Sequence, residues 1–373
     1  MRPEAMGETP ALPSRREEDW RWADLSWAER LADTPAPAND PLPDVAAFRL
    51  ASNAPLTFLA AGRPVAGANH APRPDPTAPP HPLADLATAH ASAGLDLAVG
   101  PGQDAGVHEF LHLGSAGAAH SVNRIVLGPA ARLVVVEVLA GTGHDHWLNH
   151  RLDVDLGDGA ELVRVLVVPN GQGLVSERTF ARVGPRARLV ALTLVASPAA
   201  VRAEVRAQLV GAEADAVADG VLLGHGAGAV DVLTRIEHLV SQARSRQTFR
   251  LMAAGRAQVS VAAGVSVARH AQKTDAAQSL KALVLDRTAA ANLKPELEIR
   301  ADDVTCAHGC AVGEPDPWAR FYLASRGIPP ADADRLLLRA FVADALTHLP
   351  AQLAPAVEAR LDTWLDLSRP AAP

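Results

Sequence analysis

Between residues 107 and 312, apolar and polar positions alternate in short runs separated by glycine-led turns. That is the period of β-strands, not of helices. The pattern also repeats. Gly128-Pro-Ala-Ala-Arg-Leu-Val-Val-Val-Glu-Val recurs as Gly157-Asp-Gly-Ala-Glu-Leu-Val-Arg-Val-Leu-Val and as Gly184-Pro-Arg-Ala-Arg-Leu-Val-Ala-Leu-Thr-Leu. A weaker copy starts at Gly211-Ala-Glu-Ala-Asp-Ala, and the glycine steps are 29, 27 and 27 residues. Each unit opens with a turn, places Ala and Leu two apart on one face and continues into a β-rich run. A second strand lies between units, for example over 152–156 or 175–183. A fixed period of this size marks units that cannot bury an apolar face alone and must stack. It predicts a parallel β-helix or β-solenoid. The alternative is a β-sandwich, whose turn spacing is shorter and less regular.

The flanks read differently. Ser14 with Glu17 three residues on forms a capping-box pattern, and it predicts a helix with Trp20, Trp27 and Leu31 on one face and Trp22 nearby. Residues 34–85 are rich in proline, which suits neither helix interiors nor central strands. They are expected to form an extended, partly mobile connection, with a short strand pair over 48–60, exposed histidines at His70 and His81, and a helix over 83–90. After Glu314 the period becomes helical. One helix starts at Pro317 and carries Trp318, Phe321, Tyr322 and Leu323. A second carries Ala333, Leu336, Leu337, Ala340, Phe341 and Ala345. A third, over 355–367, carries Val357, Leu361, Trp364 and Leu365. The expected division is an N-terminal helical and Pro-rich segment over 1–90, a β core over 91–313 and a helical tail over 314–373.

Composition narrows the function classes. Of 373 residues only 4% are aromatic, so Ala, Val and Leu must pack the core. A net charge of -7 with no basic stripe argues against a nucleic-acid binder. No apolar run approaches the ~18 residues of a membrane helix, and the N-terminus lacks the apolar stretch of a signal peptide. Two cysteines four positions apart make no disulfide framework. The expectation is a soluble, cytoplasmic chain with reduced thiols. No phosphate-binding loop, dinucleotide fingerprint or nucleophile elbow is present, so no nucleotide site is expected.

The chemistry concentrates near the end of the β region. Cys306, His308 and Cys310 alternate, so an extended backbone places two thiols and an imidazole on one face. Gly309 interrupts that run, which leaves a strand end or turn open. The set lacks the paired spacing of a structural zinc site and the four cysteines of a closed iron–sulfur site. A Cys–His nucleophile pair and a plain surface turn also fit the spacing. Asp302 and Asp303 are candidates for supporting groups or for a solvated strand edge. The only lysines, Lys273, Lys281 and Lys294, fall just upstream, which suggests either a lysine-specific site or simple sequence drift. His144, His146 and His150 with Asp145 form a second histidine group, expected in an exposed connecting turn. His238 reads as a satisfied, partly buried strand histidine.

Three stretches resemble one family. Leu293-Lys-Pro-Glu-Leu-Glu-Ile-Arg-Ala-Asp-Asp-Val-Thr-Cys-Ala-His-Gly with Val312-Gly is similar to the signature of the SufB/SufD family. So are Phe321-Tyr-Leu-Ala-Ser-Arg-Gly-Ile-Pro with Leu336-Leu-Leu-Arg-Ala-Phe, and Ala271-Gln-Lys-Thr-Asp-Ala. The resemblance is strong over 271–345 and weak over the repeats. Leu12-Pro-Ser-Arg-Arg and Trp20-Arg-Trp resemble the SufD branch, with Trp22 where that branch has Tyr. The resemblance implies a mainly β fold, with a right-handed parallel β-helix core between an N-terminal helical or irregular segment and a C-terminal helical domain. It implies a non-enzymatic scaffold for iron–sulfur cluster assembly. Such a subunit pairs with a SufB-like subunit through the β-helix and docks a SufC-like ABC ATPase through its C-terminal helices. The implied cofactor is a nascent iron–sulfur cluster or iron, transient, shared with the partner and not tightly bound by the isolated chain. Cys306 and His308 are the ligand positions carried over. Cys310 departs from the pattern, where a small residue follows His-Gly, and its role as a further ligand stays open. Two other readings also stay open: a SufB-like homodimeric cluster scaffold, and a stand-alone metal-dependent β-helix enzyme built on His144, His146 and His150.

Overall fold

The computed structural model describes residues 12–37, 44–169 and 171–367. The N-terminal segment carries one short helix, α1 (Ser26–Leu31). It continues through strands β1 (Leu56–Ala60), β2 (Arg63–Ala66) and β3 (Asn69–His70), helix α2 (Pro82–His90), and strands β4 (Ala93–Gly94) and β5 (Asp96–Val99). Two long strands, β6 (Asp104–Leu127) and β7 (Arg132–Leu156), open the repetitive part. The following coils consist of two strands each: β8 (Glu161–Val168) with β9 (Leu174–Val183), β10 (Arg188–Ser197) with β11 (Ala200–Leu209), and β12 (Asp215–Gly224) with β13 (Ala229–His238). β14 (Arg244–Ala253) with β15 (Gln258–Val267) and β16 (Asp275–Val284) with β17 (Ala290–Ile299) come next, and β18 (Thr305–Gly313) ends the stack. Helices α3 (Pro317–Ser325), α4 (Pro330–Val342) and α5 (Ala354–Leu367) follow.

The hydrogen-bonded order is β17-β15-β13-β11-β9-β7-β8-β10-β12-β14-β16-β18. Each strand of the stack pairs in parallel with the strand one coil away. The chain is therefore a parallel β-solenoid of about 7 turns, not a sandwich. Two parallel sheets enclose an interior between them.

The repeat has a physical origin in one corner of the coil. Ala131, Ala160, Ala187, Ala214 and Ala243 stack there and are fully buried. Three residues earlier in the chain from the first four of these stands a glycine, where the turns approach backbone to backbone. A Cβ on Gly211 would lie 2.0 Å from the Pro185 nitrogen, and one on Gly184 would lie 2.5 Å from the Leu156 oxygen. The repeat glycines are thus required for contact between coils. The left-handed backbone of the same turn falls later, on Ala130, Arg186, Glu213, Gln242 and Lys273, with φ from 53° to 64°. Stacked turns bond amide to carbonyl, as in Arg186 N–H to Ala212 and Gln242 N–H to Gln272. This ladder compensates the backbone strain of those positions.

The two outer faces are covered by the two ends of the chain. Helices α4 and α5 pack Leu338, Val342, Val357, Leu361, Trp364 and Leu365 on the apolar outer face of the β8–β10–β12 sheet, against Val136, Val165, Leu192 and Val217. The N-terminal segment covers the opposite face, where Trp20, Leu31, Leu83 and Leu86 meet Trp147 and Leu174. Two expectations are corrected here. The N-terminal tryptophans do not share one helix face: a 3-10 turn ends at Trp20, and α1 starts separately at Ser26. The Ser14–Glu17 pattern closes only a local turn. The Pro-rich segment is not a free linker over its described residues either. Asp75 N–H donates to buried Asp153, and Arg178 donates to the Pro79 carbonyl. His81, expected to be exposed, caps α2 and bonds Glu204 at 3.1 Å. β1 from the same segment pairs in parallel with β6, extending the sheet.

The interior is not wholly apolar. Arg164 donates to Glu137 and, at 2.9 Å, to Glu177, and all three are buried. His150 bonds Glu137 at 3.2 Å and Ser121 at 2.9 Å. Burial opposes ionisation of Glu137, but Arg164 and His150 outweigh it and hold the carboxyl at about 2. Burial pushes Glu177 up, since Arg164 is shared between the two carboxylates. Arg164→Met leaves both acids without their cation, and we expect a loss of roughly 3–5 kcal/mol in urea unfolding at pH 7.

Burial also depresses several histidines, most strongly His112 to about 3, His120 to about 4 and His238 to about 4. Between these values and the ordinary 6.5, the unfolded chain binds protons that the folded chain refuses. Stability therefore falls as pH drops below about 6.5, by roughly 1.4 kcal/mol per unit per histidine. The depressed Glu137 adds a further loss only below about pH 4.5. Denaturant titrations from pH 7.5 to 4.5 check this, and a flat stability over that range contradicts it.

Candidate functional site at the open end of the solenoid

The sequence places a strand through Leu297, Ile299 and Val304. The chain instead ends one strand at Ile299, turns, and starts β18 at Thr305. β18 then runs unbroken through Gly309. Its register sets Cys306 beside Ala276, His308 beside Gln278, Cys310 beside Leu280 and Val312 beside Ala282. Ala276, Gln278, Leu280 and Ala282 are buried and face the interior. Cys306, His308 and Cys310 therefore continue three interior columns and share one face, as their alternation predicts.

The opposing strand does the same. Leu293, Pro295, Leu297 and Ile299 sit beside Val261, Ala263, Val265 and Val267, all buried. No later coil in the described residues covers this last layer. Its inner face consequently meets solvent, with Val312 54% and Ile299 41% exposed. The site is a slot floored by the solenoid interior and walled by β17 and β18. Among the described residues each of these strands is hydrogen-bonded on one side only, so the slot is rimmed by free backbone donors and acceptors.

Within the slot the donors differ. Cys306 is half-buried against Val265, Val267, Ala271, Ala276 and Ala301, while Cys310 is exposed. Burial pushes the Cys306 thiol up and Asp275 adds to it, against a lowering backbone hydrogen bond from Ala276. Same-face neighbours on a strand are roughly 6.6 Å apart, so Cys306 and Cys310 span about 13 Å. That is too far for a disulfide or for one ion bound by all three side chains. Accordingly, no group of three or more His, Cys, Asp or Glu is placed to hold a metal ion among the described residues.

The other candidates do not gather here. Lys273 pairs with Asp303 in the coil turn, and Lys294 pairs with Glu18 and, at 2.9 Å, with Glu296 on an outer face. Lys281 alternates with the inward positions of β16 and so lies on its outer side. Asp302 lies in the turn before β18. His146 and His150, expected in an exposed turn, are buried within β7. His150 faces the charged interior, and His146 bonds the Gly143 carbonyl. The His144 side chain lies outside the described residues. His238, expected to be satisfied and partly buried, is fully buried and only half satisfied: its Nε2 bonds Ser245 at 2.8 Å, while its Nδ1 has no hydrogen-bond partner among the described residues. What sequence reasoning missed is Gln278. It lies under His308, spans to the Ala263 carbonyl, and has a buried Oε1 with no hydrogen-bond partner among the described residues.

A second exposed feature follows β18 in the chain. Helix α3 buries none of its residues, and it presents Trp318, Phe321 and Tyr322 at 77%, 68% and 57% exposure. Leu336 of α4 adds 49%. A contiguous aromatic surface of this kind marks a contact site.

Comparison with known proteins adds identity. The family model described as SUF system FeS cluster assembly, SufBD core domain, matches residues 110–341. The iron–sulfur cluster assembly protein SufD of Escherichia coli is 38% identical over 114 residues, 31% of this chain and 27% of that protein. SufD of Bacillus subtilis is 40% identical over 88 residues, 23% of this chain and 20% of that protein. A SufBD family protein of Synechocystis is 43% identical over 86 residues, 23% of this chain and 19% of that protein. The aligned stretches thus span about a quarter or less of these relatives' lengths.

The two thiols should differ in reactivity. A maleimide is expected to label Cys310 first, with Cys306 slower because its thiol is half-buried and its thiolate disfavoured. Mass spectrometry over time checks this. The fast phase should vanish in Cys310→Ser and persist in Cys306→Ser, and the reverse result contradicts the assigned geometry.

Proposed function

The chain belongs to the SUF-system SufBD core family, and from that premise we propose that it is a SufD-like scaffold subunit in iron–sulfur cluster assembly. The observation that carries the reading is the uncovered inner face of the last coil, with Cys306 and His308 on it and free strand edges around it. A thiol and an imidazole suit iron or a nascent iron–sulfur cluster. They are too few to close a site alone, so a SufB-like subunit docked edge to edge supplies the remaining ligands. Cys310 lies in the same row as a further candidate ligand. A half-site of this kind holds its cargo weakly, which suits a cluster that must be passed on.

The chain's own groups have definable tasks in this reading. Cys306 must lose its proton to bind metal, and its burial makes that loss coincide with arrival of the positive ion. His308 offers an exposed imidazole. The slot walls Leu293, Leu297 and Ile299 exclude water once the partner covers them. The aromatic surface of α3 is the dock for a SufC-like ATPase, which brings the nucleotide chemistry that this sequence lacks a loop for. We read the chain itself as non-enzymatic and cytoplasmic. Among its described residues no helix is long and apolar enough to cross a membrane. The alternative of a metal enzyme built on His144, His146 and His150 finds no support in the separate surroundings of His146 and His150. The alternative of a homodimeric cluster scaffold is tested by anaerobic reconstitution of the chain alone, where strong cluster absorbance without a partner would favour it.

Co-expression with SufB-like and SufC-like partners is expected to yield a stable complex, and failure to co-purify either one sinks the proposal. In that complex, His308→Ala should impair cluster assembly and leave subunit association intact; lost association would make His308 structural. Trp318→Ala combined with Phe321→Ala should leave the unfolding midpoint unchanged and weaken ATPase binding by roughly tenfold or more. Unchanged binding would remove α3 from the interface.

A further inference from the structure

The N-terminal strap and the outer face of the β7–β9–β11–β13 sheet line a second polar site. Strand alternation puts a band of charge on this face. Arg151 pairs with Asp153, Arg202 with Glu204 and Asp231, Arg206 with Glu237, and Arg235 with Asp19 and Glu296. Arg178 lies in the middle of this band, in register between His-bearing β7 and β11, with Arg151 and Glu204 as its cross-strand neighbours. It is only 4% exposed, and among the described residues it has no carboxylate in ion-pair contact. Among the described residues its one hydrogen bond goes to the Pro79 carbonyl, and its Nη1 is buried without a partner there. Glu204 is near, but its oxygens are engaged by Arg202 and His81. Burial and the repulsion of Arg151 accordingly lower the Arg178 pKa.

A buried guanidinium without a counter-charge is unfavourable unless something supplies one. Beside it lies a cavity of about 170 Å³, lined by Trp20, Pro80, His81, Arg178, Arg206 and Arg235 together with Asp19 and Glu204. Of its three guanidiniums, Arg206 and Arg235 are paired, with Glu237 and with Asp19 and Glu296, and Arg178 alone has no carboxylate in ion-pair contact among the described residues. Arg206 brings a second buried nitrogen, Nε, with no partner. The indole of Trp20 is held in place over Arg202 at 4.5 Å and against His81, so the wall is rigid. The space is too small for a nucleotide and sufficient for a compact ion.

We propose that this cavity is a binding site for a small oxyanion of the phosphate class. The forked guanidinium geometry matches oxyanion edges, and a dianion neutralises the excess charge of the Arg178 row. Because the cavity is lined by the N-terminal strap on one side and the sheet on the other, occupancy ties the strap to the solenoid. The test is thermal unfolding of the full chain in sodium phosphate against sodium chloride at matched ionic strength. Phosphate is expected to raise the midpoint saturably, and Arg178→Gln should weaken the response by about tenfold or more, with Arg178→Lys in between. Removing an uncompensated charge should leave Arg178→Gln folded; if it is not, Arg206→Gln at the cavity wall reads the same loss. No saturable response in the wild-type chain overturns the site and leaves the cavity to water. So does an equal response in wild type and both variants.

Discussion

Each coil of this solenoid is held by parallel hydrogen bonds to the coil before it and the coil after it. The last coil is therefore necessarily short of half its partners. Everything distinctive about the molecule follows from how its two ends treat that shortage. At the start, β1 and β5 pair with β6 and close the edge. At the finish, β17 and β18 remain single-sided. The same constraint that orders the interior into columns of side chains makes the last members of those columns, Cys306, His308 and Cys310, emerge together. The candidate site is the cross-section of the core, exposed.

Stacking also explains why the chain tolerates so much buried charge. Side chains in register on neighbouring strands lie about 4.8 Å apart, close enough for one guanidinium to bridge two carboxylates across coils. Arg202 reaches Asp231 this way on the outside while also pairing with Glu204 of its own strand, and inside the solenoid Arg164 joins Glu137 of the preceding coil to Glu177 of its own. Breaking one member leaves an isolated buried charge, so these groups fix the register of the coils. Arg178 stands apart because its row offers Arg151 on one side and an already engaged Glu204 on the other.

The two chain ends divide the outer faces between them. The helical tail is at once core and surface: α4 and α5 cover one sheet with an apolar stripe, while α3 turns its aromatic residues outward. The N-terminal strap covers the other sheet through the apolar contacts of Trp20, Leu31, Leu83 and Leu86 and through polar contacts to its own proline-flanked backbone. Neither end is an appendage that the solenoid could lose without exposing an apolar or charged face.

The β-solenoid was legible because its cause is local and repeated. The Gly-x-x-Ala-x-Leu unit encodes a turn with no room for a Cβ, an inward Ala and an inward Leu, and the sequence states this several times over. The three C-terminal helices were legible for the same reason, from a 3.6-residue period with Pro at each start. Alternation alone put Cys306, His308 and Cys310 on one face. Tertiary structure decided the rest. Whether that face is buried depends on how many coils follow, which no local pattern encodes. His146 and His150 looked like an exposed turn because their glycines were visible and the 25-residue strand β7 that carries them was not. His81 looked idle because its partner, Glu204, lies 123 residues away. Periodicity reports the face a residue takes on its own strand. Only the stacking of distant coils sets what lies across from it.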